Sequence, residues 1–347
     1  MKNSCKVHMA QTAGSMRATF VLLAAIVFCA PACMPSGSFK ITTIPENQTL
    51  RERVVIKDKF WTSNRVAIID IQGLLMNAHA NSLFSEGEHV VSFTVEKLQK
   101  AADDRRVKAV VLRVNSPGGT VTASDTLYEE ILAFKQKTKK PVVAYFQDVA
   151  ASGGYYLSCA ADEIIAQRST VTGSIGVIMQ MVDVSGGLSK LGITTDAITS
   201  GEYKDAGSPF RHMTVEEREL FQTMVNGFYA QFVDAVDTGR PNLSREEVVK
   251  LADGRVYLAQ QALDAGLIDR IGTLHDAIDV AKRRAGIEDA HVVLYHRPLT
   301  WAPNVYAQSP APPAAGATIN LLNINTSSDW TVRPRFLYIW DCQSQGI

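Results

Sequence analysis

The chain has few cysteines and no surplus of charge of either sign, and it lacks a long unbroken apolar run; each shortage removes a class of protein. Its 347 residues hold five cysteines, Cys5, Cys29, Cys33, Cys159 and Cys342, none in C-x-x-C spacing and three within the first 33 positions. That distribution supports neither a disulfide framework nor a zinc site. Lys plus Arg and Asp plus Glu are 35 each, so the formal net charge is zero. Without a basic excess, phosphate neutralisation has no source, and nucleic acid is excluded as a partner. The longest apolar run, Ala18 to Ala30, is short of the ~20 residues a spanning helix needs. No internal repeat is present. With 46% apolar residues the chain can bury a sizeable core, which excludes disorder as its main state.

What the N-terminus does have is export-signal architecture: Lys2, Lys6 and Arg17 without an acidic residue, then the apolar run, then Pro31-Ala32-Cys33. Residues 1–33 are therefore expected to be an export signal or membrane anchor. Ala30-Pro31-Ala32-Cys33 is a loose lipobox in which Cys33 would carry lipid, and soluble export and a retained anchor are the alternatives. Residues 34–61 read as a linker, 62–296 as the main folded domain, and 297–347, with Pro298, Pro303, Pro310, Pro312 and Pro313, as a Pro/Ala-rich tail whose aromatic patch RFLYIW could dock. Short β-branched runs at Val66–Ile71, Val107–Val114, Val142–Gln147, Glu163–Ala166 and Ile193–Ile198 predict strands. Helical patterns fall at Phe93–Ala102, Ala123–Lys137, Gly153–Ala161 and Thr214–Asp237, the last opening on a Thr214/Glu217 capping box. Alternating strands and helices imply βαβ crossovers and an α/β fold with a mainly parallel sheet.

Three loops could carry chemistry. Asn115-Ser116-Pro117-Gly118-Gly119 follows a strand, and its glycines could aim amide N–H groups into a cleft as an oxyanion hole, although a tight βα turn would account for it equally. In Ala151-Ser152-Gly153-Gly154, Ser152 stands at a strand-to-helix turn, which suits either a nucleophile or a simple helix cap; Ala150 excludes the G-x-S-x-G elbow. None of the seven histidines (8, 79, 89, 212, 275, 291 and 296) reads as its base. The third loop, Ser200 to Asp205, offers Lys204, which is either a solvated surface charge or, once desolvation has lowered a lysine's pKa, a general base.

Together, NSPGG at 115–119, ASGGYY at 151–156, TGSIGV at 172–177, SGEYKDAGSP at 200–209 and DGRVYLAQQALDAGLID at 253–269 resemble the signal peptide peptidase A family, membrane-associated serine peptidases. The resemblance spans about 66–284. It implies a crotonase/ClpP-like ββα spiral with long C-terminal helices and a Ser/Lys dyad, with Ser152 as nucleophile and Lys204 as base. Ser174 would orient the Lys204 amine, and Gly119 and Gly153 would supply the oxyanion N–H groups. No metal or organic cofactor is called for. The implied substrates are cleaved signal peptides and other unfolded or membrane-proximal chains, and the implied location is the extracytoplasmic side of the bacterial inner membrane, held by the N-terminal segment or a lipid on Cys33. A single-length chain of this family implies a ring-like homo-oligomer whose sites take Ser from one protomer and Lys from its neighbour. The rivals are an acyl-CoA enzyme of the crotonase fold and a non-catalytic scaffold.

Overall fold

The computed structural model describes residues 49–77, 81–82, 85–86, 90–298 and 336–340. The expected signal segment, Cys33 included, lies outside them, as do His8, His79 and His89. In chain order the strands begin with Arg51–Ile56 (β1), Arg65–Gln72 (β2) and a small separate ladder of Asn81–Ser82 (β3) with Ser85–Glu86 (β4). Then follow Val90–Asp103 (α1), Val107–Ser116 (β5), Gly118–Thr120 (β6), Val121–Thr138 (α2), Val142–Ala151 (β7), Gly153–Ser158 (α3), Glu163–Ala166 (β8), Val171–Gly173 (β9) and Ile178–Met179 (β10). The C-terminal half contributes Ser185–Lys190 (α4), Val215–Gly239 (α5), Arg245–Leu251 (α6), Val256–Leu258 (β11), Ala259–Asp264 (α7), Arg270–Ile271 (β12), Leu274–Arg284 (α8), His291–His296 (β13) and Phe336–Ile339 (β14).

The main sheet runs β1-β13-β2-β5-β7-β8-β12, parallel from β13 to β12, with β1 antiparallel on its edge. This is the α/β architecture the βαβ pattern calls for. Its strands are apolar at successive positions because both faces are covered. Ala67, Ile69, Val110, Leu112, Val142 and Ala144 face a core shared with α1, α2, α3 and α5, while Val66, Ile68, Ala109, Val111 and Val143 face Leu274, Ala277, Ile278 and Ala281 of α8. The period-2 alternation of side chains thus feeds two cores from one run of residues.

Three stretches differ from the sequence reading. Residues 51–56 were assigned to the linker, yet they form β1, paired with β13. Its charges disguise it: an edge strand tolerates Glu52 because the carboxylate is ion-paired to Arg65. Ile193–Ile198 is not a strand; it has no ladder partner, Ile198 is fully exposed, and Thr195 Oγ1 donates to the Phe210 carbonyl at 3.0 Å. In the tail, residues 336–339 form β14, the middle strand of a three-stranded sheet ordered β10-β14-β6. The capping box of α5 is as expected, with Glu217 N donating to Thr214 Oγ1 and Thr214 N to Glu217 Oε2.

One charged pair lies inside the sheet. Asp70 on β2 and Arg113 on β5 are register partners, and Arg113 Nε, fully buried, donates to Asp70 Oδ1 at 2.5 Å. Removing one member of such a pair leaves an uncompensated buried charge, which typically costs about 3–5 kcal/mol, whereas replacing both with apolar residues of similar volume is often neutral or better. Asp70→Ala is therefore expected to lower unfolding free energy by about that amount in urea titration, and Asp70→Leu/Arg113→Met to recover most of the loss; equal losses for the single and double variants would contradict this account.

Candidate active site

Strand β7 changes partner along its length. Val143–Phe146 pair with β8, but Val149–Ala151 pair in parallel with β9, so that Ala151 stands opposite Gly173. Each strand ends there, and each is followed by a serine: Ser152 after β7, Ser174 after β9. Both have positive φ, 50° and 51°, rare for residues with a side chain. Ser152 N donates to Gly173 O at 2.7 Å and Ser174 N to Arg255 O at 2.8 Å, and these bonds hold the two turns in conformations a free chain would leave. The parallel register sets the serines side by side, within roughly 5 Å at the backbone given the usual strand spacing.

Ser152 precedes α3 but does not cap it. Its side chain makes no cap hydrogen bond, and Oγ is buried without a partner among the described residues. A buried hydroxyl normally finds a partner, so an unmet one on a strained strand-to-helix turn is a group held for an incoming molecule.

Against this turn lies the 115–120 loop. An ideal Cβ on Gly118 would fall 2.7 Å from Gly153 N and 2.0 Å from the Tyr338 carbonyl oxygen, and one on Gly153 would fall 3.1 Å from that same oxygen and 2.2 Å from Ser124 Oγ. Only glycine permits this approach. The carbonyl of Tyr338 therefore sits between Gly118 and Gly153, beside Ser152. The Gly118 amide is engaged by Ser116 Oγ at 3.1 Å, and Ser116 Oγ in turn donates to Gly73 O at 2.6 Å. Gly119 faces Tyr338 in the antiparallel ladder.

Strand β14 fills a groove between β6 and β10, its register set by Leu337 opposite Thr120 and Ile178 opposite Leu337. Tyr338 is buried: its ring lies 4.7 Å from Phe232 and 5.1 Å from Tyr156 between centroids, and its hydroxyl donates to the Phe228 carbonyl at 2.6 Å. Tyr156 donates to Asp125 Oδ1 at 2.7 Å. Burial, reinforced by Asp125, pushes both phenols well above the usual tyrosine range, so they stay neutral donors. Beyond β14, Ser174, Val177, Ile178, Tyr229 and Ile339 line an open cleft of about 300 Å³.

Of the residues expected from sequence, Ser152, Ser174, Gly119 and Gly153 come together. Lys204 does not join them within one chain. It lies exposed on the turn after Ser200, and among the described residues no hydrogen bond or ion pair reaches its ammonium. The described histidines are engaged elsewhere: His212 with Asp183, His291 Nδ1 accepting from Asp58 N at 3.0 Å, and His275 and His296 on α8 and β13. Cys159 is no alternative nucleophile, since burial pushes its thiol up to about 12. Gly118 belongs to the candidate loop and Tyr338 to the docking patch of the tail, but the sequence gives neither a place beside Ser152; that comes from the ladder of β6 with β14.

Residues 134–288 match the model of peptidase family S49. An Enterococcus faecium protein named for signal peptide peptidase SppA is 37% identical over 239 residues, covering 69% of each chain. Protease 4 of Haemophilus influenzae is 35% identical over 63% of this chain and 35% of its own length, and the chloroplastic serine protease SPPA of Arabidopsis thaliana is 35% identical over 71% and 38%. With a strained buried serine beside a glycine-framed carbonyl site, and with this extent of identity, the chain belongs to the signal peptide peptidase A family, the S49 serine peptidases.

Proposed function

We propose that the chain hydrolyses extended peptides, cleaved signal peptides and other unfolded or membrane-proximal chains among them, by a Ser152/Lys204 dyad shared between neighbouring protomers. The observation that carries this reading is the Tyr338 carbonyl between Gly118 and Gly153 beside the unpaired Ser152 hydroxyl. A peptide carbonyl framed by these glycines next to Ser152 is the kind of group that the proposed attack would need. A substrate would take the place of β14, adding as a strand between β6 and β10, with main-chain pairing for affinity and the aromatic recess of Tyr156 and Phe232 for an apolar or aromatic side chain.

Ser152 Oγ attacks the carbonyl carbon while its proton passes to the neutral Lys204 amine. Gly119 and Gly153 N–H groups stabilise the oxygen that becomes negative, each such donor being worth about 2.7–4 kcal/mol of barrier. Collapse breaks the C–N bond, and the Lys204 ammonium protonates the departing amine. Water then attacks the acyl-enzyme, Lys204 takes its proton, and the ester C–O bond breaks as Ser152 regains a hydrogen. Ser174, beside Ser152, orients the amine.

Sharing of the dyad is supported by where the apolar surface lies. Leu191 and Val215 are 75% and 68% exposed, and Ile198, Tyr203 and Phe210 are exposed with them in the segment 191–215 that carries Lys204. Helix α5 buries Phe232, Val233 and Val236 but leaves Val215, Leu220 and Met224 uncovered. A second copy covering this surface would desolvate the turn, and desolvation favours the neutral amine that a base requires. The finer fold is then the crotonase/ClpP-like ββα spiral assembled as a homo-oligomer. The protein would be exported and membrane-associated through residues 1–33 or a lipid on Cys33; among the described residues no helix is long and apolar enough to cross a membrane.

Two outcomes are expected. Ser152→Ala and Lys204→Ala should each be inactive toward a chromogenic peptide while retaining wild-type circular dichroism, Lys204→Arg should be as inactive because guanidinium cannot be deprotonated, and co-expressing the Ser152→Ala and Lys204→Ala chains should restore part of the activity. No recovery despite demonstrated mixed assembly would refute sharing. Removing residues 331–347 should raise kcat/KM, mainly by lowering KM, and the free pentapeptide Phe-Leu-Tyr-Ile-Trp should inhibit the shortened enzyme competitively; unchanged kcat/KM together with no inhibition would show that β14 does not mark the substrate groove.

A further inference from the structure

The turn carrying Lys204 is short of packing. It is a succession of four-residue β-turns, Lys204 N to Gly201 O at 3.1 Å, Ala206 N to Tyr203 O at 3.2 Å and Ser208 N to Asp205 O at 3.0 Å, and the helix preceding it, α4, buries no residue. A base must be held to within a fraction of an ångström of its proton, so something has to fix this turn. From the geometry we infer that Arg211 is a positioning residue for Lys204, clamping the turn to the N-terminus of α5.

Arg211 grips two carboxylates at once. Nε donates to Asp205 Oδ2 at 2.7 Å and Nη2 to Asp205 Oδ1 at 2.8 Å, while Nη1 donates to Glu217 Oε2 at 2.9 Å and Nη2 also bonds Glu217 Oε1. Nη1 further reaches the His212 carbonyl at 3.2 Å, so all three guanidinium nitrogens are committed. Two forked pairs on one planar group fix direction as well as distance, which a lysine could not do. Asp205 is the residue next to Lys204. Glu217 is the capping-box residue of α5, with its side chain only 3% exposed and Oε2 also accepting from Thr214 N. The chain of contacts is therefore continuous from the base to a 25-residue helix whose far half is buried in the core. Consistent with this, hydrogen bonds from Arg211 are the chief cause holding the Asp205 and Glu217 carboxyls below the usual range. Gly207 also backs onto Phe221 of α5, so packing keeps the turn near the helix when the clamp is cut, and what is lost is its exact pose.

This inference rests on Lys204 as the base, and the test separates the two. In the full-length oligomer, Arg211→Gln, Arg211→Lys and Asp205→Asn are compared with Lys204→Ala for kcat, KM and the pH profile of kcat. Arg211→Gln is expected to lower kcat about 10- to 100-fold with KM within twofold, in line with the loss from a displaced catalytic group. Arg211→Lys should fail to rescue, since it keeps the charge and loses the fork. Asp205→Asn, which leaves the Arg211–Glu217 contact and hence the helix cap intact, should show the same effect more weakly. In the two Arg211 variants the acid limb of the profile should move to higher pH as the loosened ammonium gains water; no direction is set for Asp205→Asn, which also removes a neighbouring negative charge. A role in stability alone would lower the melting temperature and leave the profile in place. If Lys204→Ala is inactive while Arg211→Gln and Asp205→Asn keep wild-type kcat and profile, the clamp is refuted and the dyad stands; if Lys204→Ala is active, both fall.

Discussion

The register of β7 against β9 is the constraint from which the site follows. Because Ala151 stands opposite Gly173, the two strands end level with each other, and the next residue of each is forced into a left-handed turn. The bond from Ser152 N to Gly173 O then ties one turn to the other strand. Moving either strand by one residue would turn its serine to the opposite face of the sheet. The pose of Ser152 is thus a property of strand pairing, and its strain is borne by a sheet buried on both sides, where many apolar contacts can offset a local cost of order 1–3 kcal/mol.

The glycine loop depends on that same pose. Gly118 and Gly153 approach so closely that any side chain at either would strike backbone or Ser124, and the space they leave is the width of a peptide carbonyl. Ser116 reinforces it from behind through Gly73 and Gly118. Ser152 and the glycines lie buried, whereas Lys204, the base proposed above, lies on the part of the chain with the least burial. Under the proposed dyad, a rigid part and a loosely packed part of the fold would each supply one of its members.

Much of this was legible in the sequence where local chemistry dominates. The parallel strands announced themselves as apolar runs between helices, the α5 capping box as Thr214 and Glu217, and the serine turn as a small residue between strand and helix. What was not legible depends on partners distant in the chain. β1 reads as polar because its Glu52 is neutralised by Arg65, 13 residues on. Ile193–Ile198 has the composition of a strand and no sheet edge to join. β14 sits behind a proline-rich stretch, and its place is decided by an unfilled groove between β6 and β10. Arg211 carries no signal in the sequence, since only three dimensions bring Asp205 and Glu217 to its two sides.

The buried Asp70–Arg113 pair bears on how the sheet is assembled as well as on how firmly it holds. Strands β2 and β5 are nearly interchangeable in their apolar residues, so hydrophobic burial alone discriminates poorly between pairing Ile69 with Leu112 and pairing it one or two places along. A slip of one place either way would enclose the guanidinium opposite Ile69 or Ile71, with its carboxylate stranded elsewhere in the core. The pair thus acts as a register mark on the central strands, disfavouring misaligned pairings of β2 with β5.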